Sequence, residues 1–410
     1  MRGQNKNALF SGLFFFMVLF SLFVMRPFRS AVAAQIGTAD LTFFLFLVVL
    51  VMLFANFIYS AVLSRIKESR LVLYIYGFFI LNLVVFAYLN FYYESNYALG
   101  ATFYVWYNIF NFFVVSIFWA KTVNCFDRAE GNKFFGIISA FGSAGAFIGS
   151  RTVSAYLTDA PVMAITLSLA ALMLAIFFSS KLKPTNITKI EKKDISIDLV
   201  DQINQVKNNT LVQKLLTYAF IWTCCSTALY FFSLEIINKY TNDIVKQRAI
   251  FADADSLVTP ITFFSQILIT RFLLESRFFG LRFVLGIYGV FFIIAYLMMA
   301  GHFADFLFTG TGVLLFLIIS ALMRPFEYAI NKPARETVYT TLKKSEKYRS
   351  TVFIDTFINR FGDASGGLLF NILLTLGLAL AVAPLAILPL ALILSGFGVN
   401  ISKSVKEVKS

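Results

Sequence analysis

An all-α integral membrane protein of twelve spans in two six-helix halves is the fold this sequence predicts, and three observations predict it. The 410 residues are 59% apolar and only 14% charged, with 50 Phe and a mean hydropathy of +0.78; a soluble chain carries about 25% charged residues. Apolar runs of about eighteen residues or more, the length a helix needs to cross a bilayer, recur along the whole chain. Runs such as 41–54 do not alternate apolar with polar, which excludes an outer-membrane barrel. A soluble enzyme is excluded as well.

Apolar runs bounded by charges or turn residues place the spans near 8–34, 41–63, 71–90, 98–120, 134–157, 161–180, 211–238, 250–274, 281–300, 303–325, 351–378 and 381–402. The first imitates a secretory signal, with Arg2 and Lys6, an apolar run over 8–25 and then Ala31-Val32-Ala33. That run exceeds a signal core of about 7–15 residues, and Arg26 and Arg29 precede the small residues, so it reads as a spanning helix. Asn56, Asn82, Asn90, Asn108 and Asn111 punctuate spans two to four as residues for helix-to-helix hydrogen bonds. Tyr104, Trp106 and Tyr107 read as interface or core aromatics. Span five carries Gly145 and Gly149 as a GxxxG among other small residues, which lets a second helix approach closely.

The longest polar stretch divides the chain into residues 1–180, a cytoplasmic linker at 181–210 and residues 211–410, a two-halved transporter layout. Arg65-Ile66-Lys67-Glu68-Ser69-Arg70 after span two is echoed by Glu275-Ser276-Arg277 after span eight. The three cysteines, Cys125, Cys224 and Cys225, have neither metal nor disulfide spacing. His302, alone at an outer loop, reads as solvated.

Basic residues orient the bundle. With the N-terminus inside, 27 of the 35 Lys and Arg fall in inner loops and tails, and three, Lys239, Lys246 and Arg248, fall outside. This is the asymmetry of a protein with both termini in the cytoplasm. It accounts for the net charge of +13 as membrane orientation, so no nucleic-acid partner is expected.

Charges inside a span cost about 2.5–3.5 kcal/mol at a helix centre and mark candidate sites. Nine such residues are read: Arg26, Arg29, Arg151, Arg324 and Arg360, with Glu235, Glu327, Asp355 and Asp363. Arg26 and Arg29 are three apart, hence on one helix face, and two guanidiniums together call for anions, which a phosphate or carboxylate supplies. The competing reading is snorkelling to headgroups. Pro27 between them is expected to break the helix, as in transporter binding sites. Arg360 and Asp363 either pair with each other or bind ligand, and Asp355 or Asp363 is a candidate coupling residue for protons. Glu235 with Lys239 four residues on is either a solvated pair or part of the site. With one His and no Ser/His/Asp or metal cluster, neither a catalytic residue nor a metal or cofactor is expected.

The layout resembles the major facilitator superfamily. Within it, Phe118-Trp119, the run Asp127-Arg128-Ala129-Glu130-Gly131-Asn132-Lys133-Phe134, the glycine-rich span five and Ser150-Arg151-Thr152-Val153 resemble the ATP:ADP translocases and their shorter bacterial relatives. Arg26 and Arg29, Leu234-Glu235 with Lys239, and Ile354-Asp355 through Gly362-Asp363-Ala364-Ser365-Gly366-Gly367 fit the same family. The resemblance implies nucleotide contacts at Arg29, Glu130 and Glu235.

The function expected is secondary-active transport by alternating access in a bacterial inner membrane, by a monomer exchanging an anionic or phosphorylated solute such as a nucleotide. Arg26, Arg29, Glu130, Glu235, Lys239, Arg360 and Asp363 are the candidate substrate residues. A proton-coupled carrier of an unrelated solute, or a non-transporting membrane component, is the alternative.

Overall fold

The computed structural model describes residues 2–65, 68–92, 96–126, 128–183, 209–269, 272–273, 280–339, 341–342, 350–351 and 353–409, without the side chains of 2–3, 56–65, 68–69, 91–92, 128–133 and 406–409. The described chain is all helical. Helices α1 (Arg2–Ile36), α2 (Thr38–Arg65), α3 (Glu68–Tyr92), α4 (Tyr97–Val123), α5 (Arg128–Thr152, continued by a π turn, Val153–Leu157) and α6 (Pro161–Ser180) make up the first half. The second half comprises α7 (Thr210–Tyr240), α8 (Ile244–Leu268), α9 (Gly280–Phe303), α10 (Gly312–Tyr339), α11 (Asn359–Thr375, preceded by a π turn, Ile354–Ile358) and α12 (Ala383–Lys409).

Ten of these helices are long and apolar enough to cross a membrane. The other two are α8, which carries Lys246, Arg248, Asp253 and Asp255 in its first half, and α11, whose α-helical part has 17 residues. Two expectations need correction. Pro27 does not break α1, which is helical throughout 2–36; within a membrane protein, neighbouring groups can re-satisfy what a proline frees. Span ten begins at Gly312 and runs to Tyr339, because Asp305, Phe308 and Gly310 take positive φ angles in the turn that precedes it. Of the charged stretches after α2 and α8 that suggested an internal repeat, 66–67 and 275–277 lie outside the described residues.

The chain divides into two compact units. Unit 1 comprises 1–36, 55–195 and 241–260, and unit 2 comprises 37–54, 196–240 and 261–410. Residues 37–54, most of α2, group with unit 2, and residues 241–260, most of α8, group with unit 1. Within unit 1, α1 packs on α4, α5 and α6, and α3 on α4 and α6. Within unit 2, α7 packs on α10, α11 and α12, and α9 on α10 and α12. Six helices on, each pairing has its counterpart, which is the internal repeat expected of a two-halved transporter.

Glycine faces make the closest of these pairings. A Cβ on Gly149 would lie 2.8 Å from the Phe20 carbonyl oxygen, and one on Gly145 would strike that of Phe16, so the GxxxG of α5 lets α1 touch it backbone to backbone. The counterpart is α11 on α7, where a Cβ on Gly362 would lie 2.9 Å from the Phe220 carbonyl and one on Gly366 would strike that of Cys224. Aromatic side chains fill the remaining space, as where Phe15 stacks on Phe118 at 4.2 Å and Phe232 meets Phe370 edge-on at 4.8 Å.

Candidate functional site

In unit 1, α1 carries Phe23, Arg26 and Arg29 at three-residue spacing, so they line up along one side of the helix. Arg26 lies over the Phe23 ring at 5.1 Å, and its Nε is 3.7 Å from the carboxylate of Asp255 on α8. The Asp255 side chain is 4% exposed and that of Arg26 is 23% exposed. Arg29 turns instead to α4, with its guanidinium 5.5 Å from the ring of Tyr104 and 5.6 Å from that of Tyr107. Both tyrosines are buried, and the Tyr107 hydroxyl donates to the Leu22 carbonyl at 2.8 Å, which fixes the ring under Arg29. The two arginines therefore share a helix face and differ in environment, one against a carboxylate and one against aromatic faces.

Further polar contacts join the start of α8 to α1 and α5. Gln35 donates to Gln247 at 2.9 Å, Arg248 donates to the Thr158 carbonyl at 3.0 Å, and Ser256 donates to Ser150 at 3.3 Å. Arg151 lies 3.8 Å from Asp253, which also accepts from Ser154; Arg151 and Asp253 are exposed. Glu130 lies on α5, and its side chain is outside the described ones.

In unit 2 the predicted residues separate into three places. Glu235 on α7 is half-buried and accepts from Thr38 at 3.1 Å, and Lys239 is exposed; the two do not form the pair their spacing suggested. The next polar side chains along that end of α2 are bridged by Asn371, which donates to Thr42 at 2.8 Å and to the Thr38 carbonyl at 3.0 Å. Arg360 and Asp363 pair at 3.1 Å within α11, and Asp363 also accepts from Thr227 on α7 at 2.8 Å. Asp355 sits in the π turn before α11, exposed, accepting from Asn359 at 3.2 Å.

A buried polar network occupies the C-terminal part of α10. Arg335 donates to Glu327 at 2.5 Å, Asn331 donates to the other Glu327 oxygen at 2.7 Å, and the Tyr218 hydroxyl donates to Asn331 at 2.9 Å. The guanidinium of Arg335 is also 4.8 Å from the Trp222 ring. Residues 326–331 form a π turn directly after Pro325, an irregularity that π-bulges often mark at functional positions.

Four charged residues escaped the sequence reading. Arg335 counted as an inner-loop cation and Arg248 as an outer-loop one, yet both are buried. Asp253 and Asp255 lie inside the expected span eight, and an acidic pair within an apolar run is the signal that would have found them. His302, read as solvated, is buried, with Nδ1 3.2 Å from the Phe308 carbonyl oxygen.

No family model matches the chain, and no curated protein matches it. Solved structures do. The nucleoside transporter NupG superposes with a TM-score of 0.59 at 13% identity, covering 100% of both chains. A bacterial homolog of the human lysosomal transporter Spinster, inward-facing and unoccupied, superposes with a TM-score of 0.60 at 9% identity over 99% of this chain and 98% of that one. The chain shares the fold of these two transporters. Within the chain, α5 meets α1 and, six helices on, α11 meets α7, each through a glycine face. The major facilitator structures it resembles are transporters.

Proposed function

We propose that this protein is a secondary-active transporter that moves a small anionic solute, a nucleotide or related phosphorylated compound, across a bacterial inner membrane by alternating access and exchange. One observation carries the reading: α1 of unit 1 presents Arg26 against buried Asp255 and Arg29 against Tyr104 and Tyr107. A guanidinium forks onto phosphate or carboxylate oxygens, and aromatic faces beside it suit a heteroaromatic ring as well as a cation. Asp255 holds Arg26 while no solute is bound, and an incoming anion competes for it; a carrier whose arginine charge is balanced only by carboxylate or by solute favours exchange over empty return.

The resemblance of 118–153 to nucleotide antiporters and the fold shared with a nucleoside transporter both support a solute with a nucleoside body. The excess of basic residues in inner loops supports cytoplasmic termini. The protein acts as a monomer with a small-molecule partner in the lipid bilayer, and Glu130, Glu235, Lys239, Arg360 and Asp363 join the substrate candidates. Asp363 in unit 2, already held by Arg360 and Thr227, serves better as a fixed counter-ion than as a proton carrier.

A thermal-shift screen in detergent across nucleotides, nucleosides, sugar phosphates and carboxylates tests the reading. A ligand that binds only the folded state raises the midpoint. Midpoints rise with nucleotides or sugar phosphates and not with uncharged nucleosides. A rise with uncharged solutes alone overturns the anionic substrate.

A further inference from the structure

A cavity that the transport reading does not use lies beside α1. It lies wholly in unit 1, at the end of α1 away from the N-terminus, with a volume of about 320 Å³, within the range of about 300–1,000 Å³ usual for small-molecule sites. Met25, Phe28 and Val32 contribute its α1 wall, a strip offset from the one that carries Arg26 and Arg29. Phe86 and Phe103 add aromatic walls, and the carboxamides of Asn90 and Gln35 add polar groups.

One charged side chain among the lining residues is Arg248, which is 8% exposed. Its guanidinium lies against Phe28, 4.8 Å from the ring centroid, and one nitrogen donates to the neutral carbonyl of Thr158. None of the described residues lining the cavity is acidic. A cavity with apolar and aromatic walls, a few amides and one buried guanidinium has the composition of a ligand site rather than of a packing defect.

We infer that this cavity is a second binding site, distinct from Arg26 and Arg29, for a small aromatic molecule bearing one negative charge. The anion meets Arg248, the ring lies among Phe28, Phe86 and Phe103, and the amide of Asn90 orients it. The assignment stands independently of the substrate of transport.

Naphthalene-2-carboxylate is the probe, with naphthalene-2-carboxamide as its uncharged match, and equilibrium dialysis against the purified full-length protein in detergent is the measurement. The carboxylate binds at least tenfold more tightly than the carboxamide. Arg248→Gln removes at least tenfold of that affinity, Val32→Phe fills the cavity and abolishes binding, and Arg29→Gln leaves it intact. Should Arg248→Gln not fold, Val32→Phe and Asn90→Leu carry the test, both at a half-exposed wall. Equal binding of carboxylate and carboxamide, binding unchanged in Val32→Phe, or binding lost in Arg29→Gln each overturns the assignment; the last places the probe at Arg29 instead.

Discussion

The Nε of Arg26 lies 3.7 Å from a carboxylate oxygen of Asp255, whose side chain is almost wholly buried, although the two residues sit on α1 and α8. Taking one partner away leaves the other charge in a medium that solvates it poorly. Asp255→Asn is therefore expected to cost about 1–3 kcal/mol of stability, less than a fully buried pair because Arg26 keeps some access to water. Arg26→Gln with Asp255→Asn should recover part of that loss. Thermal melts of the two single variants and the double variant close the cycle; strict additivity would mean that the two side chains do not interact in solution.

Glu327 and Arg335 set an upper reference for the same effect. Both are buried, and Asn331, itself held by the Tyr218 hydroxyl, donates to the second Glu327 oxygen. Breaking such a pair costs about 3–5 kcal/mol, whereas Arg360 and Asp363, about a quarter exposed, are partly screened by solvent. Glu327→Gln should lower the melting midpoint more than Asp363→Asn does. The reverse order in a melting series would show that the α10 network is wetter than its burial implies.

The helical architecture was legible in composition and run length, because a bilayer permits few alternatives to an apolar helix. Partner choice was harder to read. Arg335 lay among the cations of 332–349, and from sequence a lysine or arginine that orients a loop looks the same as one buried one turn inside the helix; the difference rests on where α10 ends. Asp255 carries a local signal, an acidic residue inside an apolar run, but its partner does not, because the pairing depends on α8 meeting α1. Arg360 and Asp363 were legible as a pair because three-residue spacing on a helix places them together. Glu235 and Lys239 had equally suggestive spacing, but Thr38, distant in sequence, takes the carboxylate instead.

Glycine faces give a prediction that depends on no charge. A side chain on Gly145 or Gly366 would run into the backbone carbonyl of the neighbouring helix. Gly145→Val should force α1 from α5, and Gly366→Val should force α7 from α11, in each case reducing the yield of monodisperse protein on size-exclusion chromatography. Gly136 and Gly396 face open space, with nothing within 4 Å of where a Cβ would stand, so Ala there should be neutral or stabilise by up to about 1 kcal/mol through helix propensity. Equal tolerance at all four positions would remove the close-packing account.

The most demanding prediction concerns Arg29, because its surroundings bear directly on the nature of the solute. Its guanidinium lies near two buried tyrosine rings, so Arg29→Gln loses both a charge for the solute and a cation–π contact worth about 0.5–2 kcal/mol. Affinity for an anionic solute, measured by dialysis or competition in detergent, should fall at least tenfold, with the protein still monodisperse. Lysine keeps the charge and gives up the planar fork. If the solute is gripped by a phosphate, Arg29→Lys should therefore fall nearly as far as Arg29→Gln; if only charge matters, it should retain most of the affinity. Tyr107→Phe is the control for the hydroxyl, since it keeps the ring beneath Arg29 and removes the bond to the Leu22 carbonyl. A small loss there beside a large one in Arg29→Gln assigns the affinity to the guanidinium. Normal binding by Arg29→Gln would leave the arginine as a structural cation against its tyrosines, and the anionic-solute reading would lose the contact on which it chiefly depends.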